Sequence, residues 1–294
     1  MLGKLRYKIG IMRKALREPE PKFAFPLGHA CSPMGSPEEL RAREDGLWAG
    51  ARPTPGIDFD AVAHRAFVRG LADTRAAYDY PDKAETGYFS ENEYFSWLDS
   101  RVLVAMMLQV RPQRIVEVGS GFSSLLMADV NTRRLGGTVG IVCIDPQPRT
   151  EILGTPGIER VINEQAQRVP TDTYLSLRAN DILFIDSSHV CKTDSDVAFL
   201  VLEILPRLAP GVIVHFHDIF IPFEYPKDWV IDENRSWNEQ YVVQAFLAMN
   251  PSYEVLFGSA FAGANCREEL EEVFGAGAPP AHGGCSLWLR RRDT

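Results

Sequence analysis

A chain of 294 residues, 45% hydrophobic and 24% charged, is long enough to bury one large core. Its formal net charge of -8 excludes broad binding to nucleic-acid backbones, which needs concentrated Lys and Arg. Cys31, Cys143, Cys191, Cys266 and Cys285 contain no Cys-x-x-Cys pair, so neither a zinc knuckle nor a disulfide framework is indicated and a reducing cytoplasm fits best.

The N-terminus carries Lys4, Arg6, Lys8, Arg13, Lys14 and Arg17 and no acid before residue 18, which leaves the remainder at -14. Leu2, Leu5, Ile9, Met12 and Leu16 fall on one side of a helix. Such a stripe suits docking on this protein, on a second copy as a homodimer, or on an anionic lipid surface through residues 1–17. The charges interrupt any secretory leader, and apolar runs such as Val102 to Val110 are about half of the roughly 18 residues that span a bilayer.

Residues 18–58 are rich in Pro and Gly and read as an irregular arm with a short helix over 37–48. A helix is expected over 58–77, with Val62, Ala66, Phe67, Leu71 and Ala72 on one face, and a loop over 78–92. Residues 1–92 thus form an N-terminal extension, a lid or a dimerisation element, ahead of a domain at 93–294. There Phe95, Leu98, Val102, Ala105 and Met106 keep helical spacing up to Pro112. Strands follow at 114–118, 139–144, 158–162, 181–185, 212–216, 253–257 and 286–289, with helices at 122–133, 193–208 and 235–249. This alternation predicts an α/β fold: a Rossmann-like, seven-stranded, mostly parallel sheet with helices on both faces. The last two strands, with no strong helical pattern between them, are expected to pair antiparallel at the edge.

In open α/β sheets ligands sit beyond the carboxyl ends of the strands. The first strand runs into Glu117-Val118-Gly119-Ser120-Gly121-Phe122-Ser123-Ser124, where two glycines permit a tight turn and close approach of a ligand before a helix. Ser124 stands where a dinucleotide fingerprint wants its third glycine, which counts against a nicotinamide-dependent oxidoreductase. Asp145 ends the second strand, where a carboxylate can accept from both hydroxyls of a ribose or simply terminate the strand before Pro146.

These motifs, followed by Asp181-Ile182-Leu183-Phe184-Ile185-Asp186, resemble the ordered motifs of class I S-adenosylmethionine-dependent methyltransferases over about residues 93–290. Ile185-Asp186-Ser187-Ser188-His189, Val214-His215-Phe216-His217-Asp218-Ile219-Phe220 and Gly283-Gly284-Cys285-Ser286-Leu287-Trp288-Leu289 are similar to the group called methyltransferase domain 24. The resemblance implies that Gly119, Ser120 and Gly121 contact the methionine part of the donor, that Glu117 organises their loop, and that Asp145 holds the ribose. It also implies methyl transfer to an oxygen, less readily a nitrogen, of a small-molecule acceptor.

Asp186, His189, His217 and Asp218 should converge at the ends of the fourth and fifth strands. A histidine near neutrality suits removal of the acceptor's proton, which makes His217 and His189 the candidate bases. Some relatives that methylate catechols or sugars hold magnesium after these strands. Asp186 and Asp218 match those places as metal ligands, while His217 replaces an expected oxygen and favours a softer ion such as manganese or iron. The stretch from Pro222 to Trp229 and on to Glu239 is either a substrate wall or a rigid loop packed on the core; Trp237, Tyr241, Ala245 and Met249 read as a core stripe. The rival to an enzyme is a non-catalytic scaffold that keeps a nucleoside pocket.

Overall fold

The computed structural model describes residues 24–25, 28–276 and 284–293. The basic helix expected over 1–17 lies outside the described residues. In chain order the elements are α1 (Pro37–Arg41), α2 (Glu44–Leu47), α3 (Ala61–Thr74), α4 (Trp97–Val110), β1 (Arg114–Val118), α5 (Phe122–Arg134), β2 (Gly140–Ile144), β3 (Arg160–Ile162) and α6 (Asp172–Leu175). There follow β4 (Ile182–Ile185), α7 (Asp196–Phe199), β5 (Ile213–Phe216), α8 (Lys227–Ile231), α9 (Glu239–Leu247), β6 (Tyr253–Gly258), α10 (Ser259–Asn265), α11 (Arg267–Phe274) and β7 (Leu287–Arg291).

The strands form one seven-stranded sheet in the order β3-β2-β1-β4-β5-β7-β6. The first five are parallel, and β7 runs antiparallel to both β5 and β6. Strands such as Ile182–Ile185 are apolar without interruption because both faces of the sheet are covered. Alternate side chains feed two cores: Ile115, Ile141, Ile182 and Phe184 meet α4 and α5, while Val116, Val142, Leu183 and Ile185 face the opposite layer with Leu200, Ile204 and Val243. As expected, the sheet is Rossmann-like, and its first crossover reversal lies between β1 and β4.

The chain divides into two compact units, Met1–Leu47 with Lys227–Ser236, and Trp48–Pro226 with Trp237–Thr294. In the smaller, Arg41 pairs with Asp232 at 2.8 Å and Lys227 with Glu44 at 2.7 Å. The unit carrying the sheet therefore takes in residues 48–92, and the expected boundary at 92/93 does not mark a structural break. The reason is α3, which packs on β6 and α11: buried His64 accepts from the Gly258 backbone N–H through Nε2 at 2.9 Å, and its Nδ1 lies 2.8 Å from the Asp60 carbonyl. These bonds turn His64, Val68 and Leu71 inward and leave Val62 75% exposed, so the α3 stripe is offset from the one expected.

Three further differences concern helices. Between β6 and β7 the chain forms α10 and α11 where no helical pattern was evident, because α10 buries the small Ala260 and Ala262 and α11 only Glu269, Leu270 and Val273. The helix expected over 193–208 begins as α7, widens to a π segment at Leu200–Ile204 and ends in a 3-10 turn containing Pro206. Finally, α9 starts at Glu239, since the N–H groups of Asn238 and Glu239 are bound to the His189 carbonyl. Its buried face is Gln240, Val243 and Leu247, and the expected core stripe is overturned: Tyr241 is 40% and Met249 82% exposed.

The start of the sheet depends on Asp181, whose Oδ1 accepts from the N–H of Gln113 and Arg114 and whose Oδ2 accepts from that of Arg178, all within 3.0 Å. Asp181→Ala removes the shared acceptor of these part-buried donors and should lower unfolding stability by about 2 kcal/mol in denaturant titration; a loss below about 0.5 kcal/mol would show that water replaces the carboxylate.

Candidate active site

The end of β1 is shaped by a backbone approach. Gly119 has φ of 91°, and a Cβ there would lie 1.8 Å from the Asp186 carbonyl oxygen at the end of β4, so only glycine fits. A Cβ at Gly121 would meet no protein atom within 4 Å, and the backbone there stands open to a ligand.

Glu117 lies fully buried beneath this loop. Its carboxylate accepts from Ser123 Oγ at 2.6 Å, Ser124 Oγ at 2.5 Å and Cys143 Sγ at 3.1 Å, and Ser124 Oγ in turn accepts from the Gly121 N–H at 3.0 Å. Ser124, in the place of a third glycine, thus ties the loop to Glu117. Burial pushes the Glu117 carboxyl up to about 7, against the pull of its three donors.

Above the loop lies a cleft of about 530 Å³ lined by Gly119, Ser120, Asp145, Gln165, Asp186 and Asp196 among others. Asp145 accepts from Ser120 Oγ and from the Gln147 N–H, each at 2.7 Å. One bond per oxygen leaves lone pairs directed at the cleft. The loop, the open position at 121 and this carboxylate fit the two ends of an adenosyl amino acid.

The ends of β4 and β5 bring together more charge. His189 Nδ1 lies 2.9 Å from Glu239 Oε2, and its Nε2 is 3.5 Å from both Asp186 Oδ1 and Asp218 Oδ2. The ligand atoms of Asp186, His189 and Asp218 all lie within 4.8 Å of one another. His189 and Asp218 both adopt left-handed backbone, with φ of 59° and 57°; strain of this kind is held only where surroundings impose it. Burial alone would push His189 down, but Glu239, Asp218 and Asp186 hold it up at about 9. Burial likewise raises Asp186 against His217 and His189, with Asp218 and Asp99 adding to the rise.

His217 faces elsewhere. Its Nε2 is 3.3 Å from the Tyr94 carbonyl and 3.7 Å from Cys285 Sγ. Burial opposes its charge, and Asp218, Asp186 and Asp99 together raise its pKa. Asp186 lines the cleft, and His189 reaches it through Asp186. His215, on the same strand face as His217, is a core residue: it stacks on Phe184 at 3.8 Å, its Nε2 lies 2.9 Å from Ser286 Oγ, and burial holds it well below the ordinary imidazole value.

Of the expected residues Gly119, Ser120 and Asp145 line the cleft, Glu117 is buried under their loop and Gly121 is not in the lining, while Asp186, His189 and Asp218 meet beside it. Three participants were not anticipated. Glu239 sat in the presumed wall segment, and its partnership with His189 spans 50 positions. Asp99 is buried in α4, and the one signal was an acid inside an otherwise apolar helical run. Cys285 was visible only as part of the closing motif. Of the presumed wall, Tyr225 is buried and its hydroxyl accepts from the Gln240 N–H at 3.0 Å, which makes it core; the Trp237 ring lies 4.2 Å from His189.

A family profile described as a methyltransferase domain matches residues 116–219. An uncharacterized protein of Archaeoglobus fulgidus is 32% identical over 168 residues, covering 54% of this chain and 76% of the relative. SAH-bound methyltransferase PaMTH1 of Podospora anserina is 15% identical with a TM-score of 0.40, covering 92% of this chain and all of that one (100%). The O-methyltransferase TomG of Streptomyces achromogenes, in complex with SAM, is 13% identical with a TM-score of 0.41, covering 87% and 96%. Among the described residues no helix is long and apolar enough to cross a membrane. The family match over residues 116–219, which takes in the glycine loop after β1 and the ends of β4 and β5, identifies this part of the chain as a methyltransferase domain.

Proposed function

We propose that the enzyme methylates an oxygen, in preference to a nitrogen, of a small-molecule acceptor at the Asp186–His189–Asp218 cluster. The observation that supports this reading is that Asp186 is at once a wall of the donor cleft and a member of that cluster, 3.5 Å from His189.

S-adenosylmethionine supplies a methyl group already activated on a sulfonium, so the protein has only to align the acceptor and take its proton. The Gly119–Gly121 backbone receives the amino-acid end of the donor, Ser120 orients Asp145, and Asp145 accepts from the ribose hydroxyls. Glu117 braces the loop from below through Ser124.

At the acceptor end, Asp186 carries a raised pKa, which makes its carboxylate the stronger proton acceptor. His189, charged near neutrality through Glu239, Asp218 and Asp186, sets its Nε2 3.5 Å from both aspartates as their counter-charge; of the two candidate histidines it is the one that pairs with the cleft wall. His217 supports Asp218 from the far side, 3.9 Å away. The same Asp186, His189 and Asp218 atoms suit a divalent cation, which when bound would lower the pKa of an acceptor hydroxyl. Residues 1–92, ahead of the matched domain, are the proposed source of acceptor selectivity or of dimer contacts.

Calorimetric titration with S-adenosylmethionine should show binding that weakens roughly ten- to hundredfold in Asp145→Ala, the worth of a charged hydrogen bond; unchanged affinity would remove Asp145 from the donor site. With phenolic and sugar hydroxyl acceptors, Asp186→Asn should slow S-adenosylhomocysteine release by about a hundredfold or more, and a rate near wild type would sink the proposed acceptor site. Glu117 retains its proton in the folded state up to about pH 7, whereas an ordinary glutamate loses it near 4.5. Stability from this group is full below the lower value and falls by about 3 kcal/mol as pH rises through the upper one. Glu117→Gln should flatten that slope in denaturation measured across the interval, and an unaltered slope would assign it to other groups.

A further inference from the structure

We propose that Asp99, His217, Cys285 and Asp218 form a second cation site, suited to zinc, in which Asp218 bridges to the Asp186–His189 pair. Three segments far apart in sequence build it. Asp99 comes from the first turn of α4, His217 and Asp218 follow β5, and Cys285 precedes β7. The antiparallel pairing of Phe216 with Leu287, and the bond from the Ile219 N–H to the Cys285 carbonyl at 2.8 Å, bring the last two segments side by side.

The ligand atoms of Asp99, His217 and Cys285 all lie within 4.8 Å of one another, and Asp218 adjoins them through Cys285 and His217. Cys285 Sγ lies 3.1 Å from Asp218 Oδ1, 3.7 Å from Asp99 Oδ2 and 3.7 Å from His217 Nε2, and that nitrogen is 3.9 Å from Asp218 Oδ1. Bonds of about 2.0–2.3 Å from zinc to N, O and S imply ligand separations of roughly 3.3–3.7 Å. His217 Nε2 now faces the Tyr94 carbonyl at 3.3 Å, a contact that a cation would replace.

Orientation is built in. The N–H groups of Cys285 and Ser286 donate to the two oxygens of Asp99 at 2.9 and 3.1 Å and aim its carboxylate. A Cβ on Gly284 would come within 2.4 Å of Asp99 Oδ1, so the close approach needs glycine. Asp218 presents Oδ1 to Cys285 and Oδ2 to His189, one oxygen to each cluster.

Charge points the same way. Asp99, Asp186, Asp218 and Glu239 gather around two histidines, and among the described residues no lysine or arginine forms an ion pair with any of the four. Buried carboxylates in excess of their counter-charges call for a cation. The thiol and imidazole select zinc over magnesium.

The test is titration of cobalt(II) into the full-length protein after stripping with a chelator. We expect a thiolate-to-cobalt charge-transfer band and tetrahedral visible absorption, both displaced by zinc, lost in Cys285→Ser and kept in Asp186→Asn. Absence of the thiolate band in the wild type, or its survival in Cys285→Ser, would overturn the site. Should Cys285→Ser unfold, alkylation of the wild-type thiol read by mass spectrometry decides: zinc should slow labelling of Cys285 at least tenfold, and equal rates reject the proposal. S-adenosylmethionine titration of the same samples keeps the two readings apart, since a cobalt band without donor binding would sink the methyl-transfer reading and leave this one standing.

Discussion

Where β1 and β4 end, two backbones pass so closely that the Asp186 carbonyl occupies the place of any side chain at 119. The contact is locked by the bonds from the Asp186 N–H to the Val118 carbonyl at 2.8 Å and from the Gly119 N–H to the Ile144 carbonyl at 2.9 Å. Because the chain cannot continue straight, it turns out of the sheet with positive φ and opens the cleft. Ser120 then reaches Asp145 on the β2 side, and Asp186 is presented on the β4 side. The cleft and the Asp186–His189–Asp218 cluster share one wall for this reason.

The protein buries its carboxylates in two ways. Glu117 and Asp181 are surrounded by neutral donors, hydroxyls and a thiol for one, backbone N–H groups for the other, which stabilise loop and sheet without counter-charge. Asp186, Asp218 and Glu239 instead converge on His189, whose nitrogens are divided among them. The first arrangement gives rigidity. The second concentrates charge that a proton or cation can modulate, and it lies where the backbone of His189 and Asp218 is forced into left-handed conformation.

Parallel strands covered on both faces are written as uninterrupted apolar runs, and the glycine pair and Asp145 mark their ends, so the sheet and the glycine turn could be read from local pattern. Helix faces were less legible. In α3 the buried residues follow His64, whose two hydrogen bonds outweigh an apolar preference for Val62, and in α9 the start at Glu239 rotates the face that a periodic count would choose. Helices α10 and α11 escaped because small and charged side chains carry little periodic signal.

By itself the sequence determined the alternating α/β order, the glycine turn after β1 and the placing of Asp186, His189, His217 and Asp218 at neighbouring strand ends, because each follows from local periodicity and from where a strand stops. Only the tertiary structure decided that Glu239 holds His189, that Asp99 reaches Cys285 across 186 positions, and that His217 faces this second cluster while His215 is core. Those partners come from segments with no regular spacing between them. Their meeting depends on the β5–β7 register and on how α4 and α9 pack, which no short-range pattern encodes.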